Sequence, residues 1–196
     1  MRIEICGGIA SGKTTLAKLL SETGVESVLE DFSKNPFWEL FYLNPGKYIF
    51  ETEVTFTLQH YHEIKNAQEK YSRFICDFSS IIDLAYAKIG LEGNKLNIFE
   101  SIYEEVISDI GQPYLIIYLR CSAEDQLRRI KERNRSTERL ITVEFLHKLT
   151  VSIENLLSTI DSYTKIITFD SEKSNFETNN NEKKKLVNLI MENMNH

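Results

Sequence analysis

The run Gly7-Gly8-Ile9-Ala10-Ser11-Gly12-Lys13-Thr14 follows the pattern G-x-x-x-x-G-K-[ST], and it stands between an apolar strand-like segment, residues 2–6, and a segment with helical spacing. Few folds accommodate that succession. The glycines allow consecutive backbone N–H groups to curl round a chain of phosphates, and the following helix N-terminus adds its partial positive charge. Lys13 is expected to reach the β- and γ-phosphates, and the Thr14 hydroxyl to meet Mg²⁺. The segment from Gly7 through Thr15 is therefore read as a cradle for a nucleoside triphosphate.

A phosphate cradle of this kind opens an α/β domain, and the rest of the chain fits one. Apolar runs at 2–6, 25–29, 73–77, 114–119 and 165–169 read as five strands. Helical patterns are read over 47–70, 94–110, 122–134, 142–161 and 185–194, besides the first helix with its stripe Leu16, Leu19 and Leu20. Strands alternating with helices imply a parallel sheet with helices on both faces. The polar, Asn-rich stretch Asp170 to Lys184 reads as a loop. With 196 residues and no linker or repeat, one domain over 1–196 is expected. The formal charge of −6 argues against a nucleic-acid binder, which needs a Lys/Arg excess to displace counterions, so a small-molecule partner is expected. Cys6, Cys76 and Cys121 lie in or beside apolar runs without metal spacing and read as reduced core thiols. The chain shows no leader and no membrane-length apolar run, so the cytoplasm is the expected location.

The cradle alone does not separate kinases from switches and motors. The chain lacks an Asn-Lys-x-Asp guanine reader and an Asp-x-x-Gly switch, which argues against an ordinary GTPase. Asp77 ends the third apolar run, where a carboxylate either joins a Mg²⁺ site or caps a helix. Glu30, beside Asp31, reads from the residues alone first as a solvated surface carboxylate. Arg129 and Arg133 share a helix face, with Arg135 just beyond, either as a solvated face or as a cationic lid.

From Gly7 to about Phe145 these motifs resemble, in order and spacing, those of the deoxynucleoside kinase family. The resemblance implies a P-loop NTPase fold with a five-stranded parallel sheet and a helical lid at about 128–138. Glu30, followed by Asn35-Pro36-Phe37, looks like the segment carrying the catalytic carboxylate, so Glu30 is implied to be the general base. By the same likeness Tyr42 meets the sugar 3′-hydroxyl together with Glu138, Tyr48 and Phe50 wall the nucleoside pocket, and Glu53 and Asp83 read the base. For the aromatics, helix core is the alternative. His60 stands where some members carry an Arg paired with the Asp83 equivalent and by that likeness would join Glu53 and Asp83 in reading the base, although a lone helix His is commonly a surface residue. Lys13, Arg129 and Arg133 would act on the transferred phosphate, Arg133, Arg135 and Asp170 would border the donor nucleotide, and Thr14 with Asp77 would hold the metal. The chain departs from the family at Phe78, where an Arg is usual; Lys34 and Arg73 are the nearest candidate stand-ins.

The implied activity is transfer of the ATP γ-phosphate, with Mg²⁺, to the 5′-hydroxyl of a deoxynucleoside, by a chain that pairs as a homodimer. Glu53 in place of the common Gln favours a purine, guanine in particular, because an ionised carboxylate only accepts hydrogen bonds. The alternatives are another P-loop nucleoside or nucleotide kinase and a catalytically weak nucleotide-binding regulator, which the absent Arg would permit.

Overall fold

The computed structural model describes residues 1–161, 163–173, 176 and 179–194; part of the loop expected over Asp170 to Lys184 lies outside them. Five strands, β1 (Arg2–Cys6), β2 (Glu26–Val28), β3 (Phe74–Cys76), β4 (Leu115–Arg120) and β5 (Lys165–Asp170), form one parallel sheet in the order β2-β3-β1-β4-β5. Each of the five apolar runs is a strand, within two residues at either end. The helices are α1 (Lys13–Ser21), α2 (Trp38–Leu43), α3 (Pro45–Lys70), α4 (Ser80–Gly90), α5 (Gly93–Ile110), α6 (Ala123–Arg133), α7 (Val143–Ser158) and α8 (Asn180–Met194).

Alternation along the strands divides the core between the two faces. Ile3, Ile5, Ile75, Leu115, Ile117 and Leu119 pack with α1 and α8, whereas Cys6, Ile116 and Tyr118 pack with α4, α6 and α7. Phe74 and Cys76 meet α3 and α5 on that second side. All three cysteines are free and buried. Two buried charges interrupt the apolar pattern of β1: Arg2 pairs at 2.9 Å with Glu4, which is fully buried. Its other oxygen accepts from Ser79 Oγ at 2.8 Å and from the Ser80 backbone N–H at 3.2 Å, so the central strand is tied to the start of α4.

Local chemistry marks the helix boundaries. Pro45 opens α3 at a position where its missing N–H costs nothing. Ser122 and Thr142 cap α6 and α7 by accepting from the N–H groups of Asp125 and Phe145. Asn134 ends α6 in the left-handed conformation, φ 50°. Two helices were not anticipated. The run from Ser80 is apolar all round because α4 packs against α3, α5 and α7, and such a pattern has little periodicity to detect. α2 spans only six residues. In the other direction, α8 begins at Asn180, five residues earlier than the apolar pattern indicates, because its first turn is polar and exposed.

Candidate active site

The chain turns back on itself in strand order at β1, with β3 on one side and β4 on the other, and the C-terminal ends of these strands frame a crevice. It holds a cavity of about 740 Å³. The β1–α1 turn forms its floor. Gly12 at φ 102° takes a conformation that disfavours a side chain, and a Cβ at Gly8 would collide with the Gln126 amide. Lys13 Nζ donates to the carbonyls of Gly7 at 3.0 Å and Gly8 at 2.9 Å. The Ser11 hydroxyl is buried in the turn without a hydrogen-bond partner among the described residues, an unmet polar group of the kind a phosphate oxygen satisfies. Beside it, Thr14 Oγ1 donates to Asp77 Oδ2 at 2.6 Å, a pair of hard oxygen donors suited to Mg²⁺. The other Asp77 oxygen accepts from the Glu30 backbone N–H at 2.7 Å. Burial raises the Asp77 carboxyl and these two bonds oppose the rise.

The far wall is acidic and aromatic. On α3, Thr52, Glu53, Phe56 and His60 fall on one face at helical spacing and line the cavity. Asp83 reaches in from α4, and Glu30 from the end of the β2 segment. His60, 4 % exposed, joins them: Nδ1 lies 2.8 Å from Asp83 and Nε2 3.0 Å from Glu30. Burial disfavours the charged imidazole, but the two carboxylates outweigh it and hold its pKa well above the usual histidine value. Burial and the neighbouring Asp83 push the Glu53 carboxyl well above its ordinary value. Asp83 is raised by burial as well, with His60 opposing.

The third wall is cationic. Arg129 donates to the Ser171 carbonyl at 2.7 Å and pairs with Asp125 at 2.6 Å. Arg133 grips buried Glu138 through both oxygens, at 2.5 and 2.8 Å, and Arg135 lies over the Phe32 ring. All three arginines line the cavity.

A family model described as deoxynucleoside kinase matches residues 3–195. The chain belongs to the deoxynucleoside kinase family. Over 198 aligned residues it is 27% identical to a deoxyguanosine kinase of Bacillus subtilis, covering 97% of this chain and 96% of the relative. It is 28% identical to a deoxyadenosine kinase of Dictyostelium discoideum, over 84% of this chain and 70% of the relative. A structure of the deoxyadenosine kinase from M. mycoides with products dCMP and dCDP superposes with a TM-score of 0.82 at 25% identity, covering 100% of this chain and 99% of that one. The fold is thus the P-loop NTPase-like α/β fold of these kinases, and the protein is a phosphotransferase of this type. Among the described residues, no helix is long and apolar enough to cross a membrane.

Most of the residues that the sequence singles out line the cavity; Gly7 and Gly8, whose carbonyls accept from Lys13, are not among the lining residues, and others lie outside it. Tyr48 and Phe50 do not line the cavity. Phe50 turns toward α5, where it packs with the Leu96–Tyr103 cluster beneath Lys95, and the Tyr48 ring lies under the Lys47 ammonium near the start of α3. The walls are instead Trp38, stacked on Phe32 at 5.1 Å, with Phe41, Phe56 and Tyr86. The spacing Glu53, Phe56, His60 is legible in the sequence, whereas nothing local marks Trp38. Asp170 is also outside: it pairs with Arg120 and Lys173, which hold its carboxyl down at about 2, and the next residues, Ser171 and Glu172, line the cavity in its stead. Neither stand-in for the absent Arg arrives. Lys34 pairs with Glu63 at the surface, and Arg73 sits at the opposite end of β3, reaching the Met194 carbonyl. Phe78 itself is buried and stacks on His60, ring centroids 4.1 Å apart and planes within 8°.

Proposed function

We propose that the protein transfers the ATP γ-phosphate to the 5′-hydroxyl of a purine deoxynucleoside, deoxyguanosine foremost. The observation that carries the base preference is Glu53, buried at 3 % exposure on the cavity wall beside Asp83. When Glu53 and Asp83 are both ionised they form a wall rich in acceptors, and the guanine edge, with N1–H next to an amino group, offers a matching pair of donors that favours the ionised form against burial. Phe56, Tyr86 and Trp38 supply flat apolar walls for the base, and Tyr42 and Glu138 hold the sugar 3′-hydroxyl.

In the reaction the 5′-hydroxyl loses its proton to Glu30 as its oxygen bonds the γ-phosphorus, and the bond to the ADP oxygen breaks with its electron pair leaving on ADP. Lys13, Arg129 and Arg133 neutralise charge on the transferred group, and closure of the segment 128–138 over the donor, with Arg135 at its edge, excludes water. Thr14 and Asp77 would hold Mg²⁺, which supplies charge neutralisation between the β- and γ-phosphates. Because the Asp77 carboxylate binds both Thr14 Oγ1 and the Glu30 backbone, one side chain fixes the metal site and the base relative to each other. We place the protein in the cytoplasm as a homodimer, on the strength of its free buried thiols and of the family likeness respectively.

The test is phosphate transfer from Mg-ATP to the four deoxynucleosides and their ribose counterparts. Deoxyguanosine should give the highest kcat/KM, and Glu53→Gln should move the preference toward deoxyadenosine by about tenfold or more, the scale of one mismatched polar contact. An unchanged order in that variant would remove Glu53 from base recognition. Glu30→Gln should lower kcat on every substrate by about 10²- to 10⁴-fold.

A further inference from the structure

His60 offers two ring nitrogens, and a carboxylate oxygen faces each of them. A neutral imidazole has one N–H and one lone pair, so against two carboxylates its lone pair would confront an acceptor. With both carboxyls ionised, only the imidazolium satisfies both contacts. The ring is also packed between aromatic neighbours, with Phe78 stacked on it at 4.1 Å and Phe56 at 5.7 Å, planes within 22°. The charged groups facing it are Glu30 from the segment after β2, Asp83 from α4 and Glu53 from its own helix, with Glu4 of β1 behind Asp83. Among these groups His60 is the one that carries positive charge.

We infer that His60 is a positioning residue for phosphoryl transfer: its imidazolium clamps Glu30 Oε1, reserves Oε2 for the 5′-hydroxyl, and occupies with Phe78 the role that an arginine at position 78 would fill. The inference rests on the reading of Glu30 as the base. Its sequence basis is the pair itself. An arginine at 78 would lose the stacked face and bring a second cation against the ring, so Phe78 and His60 suit each other. The clamp also joins the two ends of the substrate site, because Asp83 faces the base wall and Glu30 the reacting hydroxyl. As pH rises through the raised titration of His60, the ring gives up one N–H and the clamp opens, so kcat should fall on the alkaline side.

The experiment is a double-mutant cycle with pH profiles: wild type, Glu30→Gln, His60→Gln, the double variant and His60→Arg, each assayed for kcat and KM with Mg-ATP and the best deoxynucleoside. Binding is followed separately by the fluorescence of Trp38, the chain's one tryptophan, which lines the cavity. His60→Gln should lower kcat roughly ten- to a hundredfold, the scale of misplacing a reacting group by about 1 Å. It should cost little further in the Glu30→Gln background, because both changes remove one function. His60→Arg, a permanent cation with several donors, should keep more activity than His60→Gln and lose the alkaline fall. If His60→Gln raises KM and leaves kcat intact, His60 reads the base and the inference is overturned. Equal losses for His60→Gln in both backgrounds would overturn it too, as would an alkaline fall that persists in His60→Arg. The base reading fails on a different result, full activity in Glu30→Gln alone.

Discussion

At the scale of single residues, the site is a cluster of acids held at an energetic cost. Glu53, Asp83 and Asp77 all titrate above their ordinary values, with burial the leading cause in each. A carboxyl that binds its proton more tightly when folded than when unfolded loses stability for the fold as pH rises past the unfolded value, and the loss levels off above the folded one. Glu53→Gln removes that titration. The variant should therefore match the wild type in melting temperature near pH 4 and exceed it increasingly toward neutral pH, as measured by thermal unfolding across that range. A melting temperature that rises equally at all pH values would assign the gain to packing and not to charge. Stability sacrificed at this position is what a recognition residue is expected to show.

Among the elements, α3 and α6 divide the work. α3 contributes Thr52, Glu53, Phe56 and His60 from a single face, and α6 contributes Arg129 and Arg133. The contact that sets α6 against the phosphate cradle is buried Gln126, whose amide nitrogen donates to the Cys121 carbonyl at 2.9 Å and to Thr150 at 3.1 Å, and whose oxygen lies against Gly8. Gly8→Ala should force this amide out of its place, destabilise the protein by about 1–3 kcal/mol and weaken nucleotide binding together with it. Adding Gln126→Ala should recover part of the nucleotide affinity. Denaturant unfolding and nucleotide titration on the single and double variants check both expectations, and no recovery would mean that the backbone of the turn, not the side chain above it, dislikes the methyl group.

For the molecule as a whole, a net charge of −6 coexists with a cavity wall of arginines. Donor triphosphate and nucleoside should accordingly respond differently to salt: raising ionic strength should increase KM for ATP several-fold and leave that for the nucleoside nearly unchanged, since only the donor is highly charged. In solution, light scattering should give twice the 22.8 kDa of one chain. A monomer would overturn the proposed pairing and leave the catalytic reading untouched.

The sequence by itself determined the sheet, because parallel strands buried on both faces must be continuous apolar runs, and it determined the phosphate cradle, because close backbone approach to phosphates demands glycine at set intervals. It also marked the acids and arginines by family likeness. Whether a helix or loop side chain enters the cavity was settled only by tertiary structure. Tyr48 and Phe50 share α3 with Glu53 yet do not line the cavity, and Phe50 is held on α5 by packing. Trp38 enters from a six-residue helix whose position depends on α3 beside it. His60 shows the difference most plainly: family likeness pairs its position with Asp83, 23 residues after it, but nothing in the sequence sets Glu30, 30 residues before it, against the other ring nitrogen. Contacts over such distances are made by the sheet that brings β2, β3 and their flanking helices to one edge, and local spacing carries no record of them.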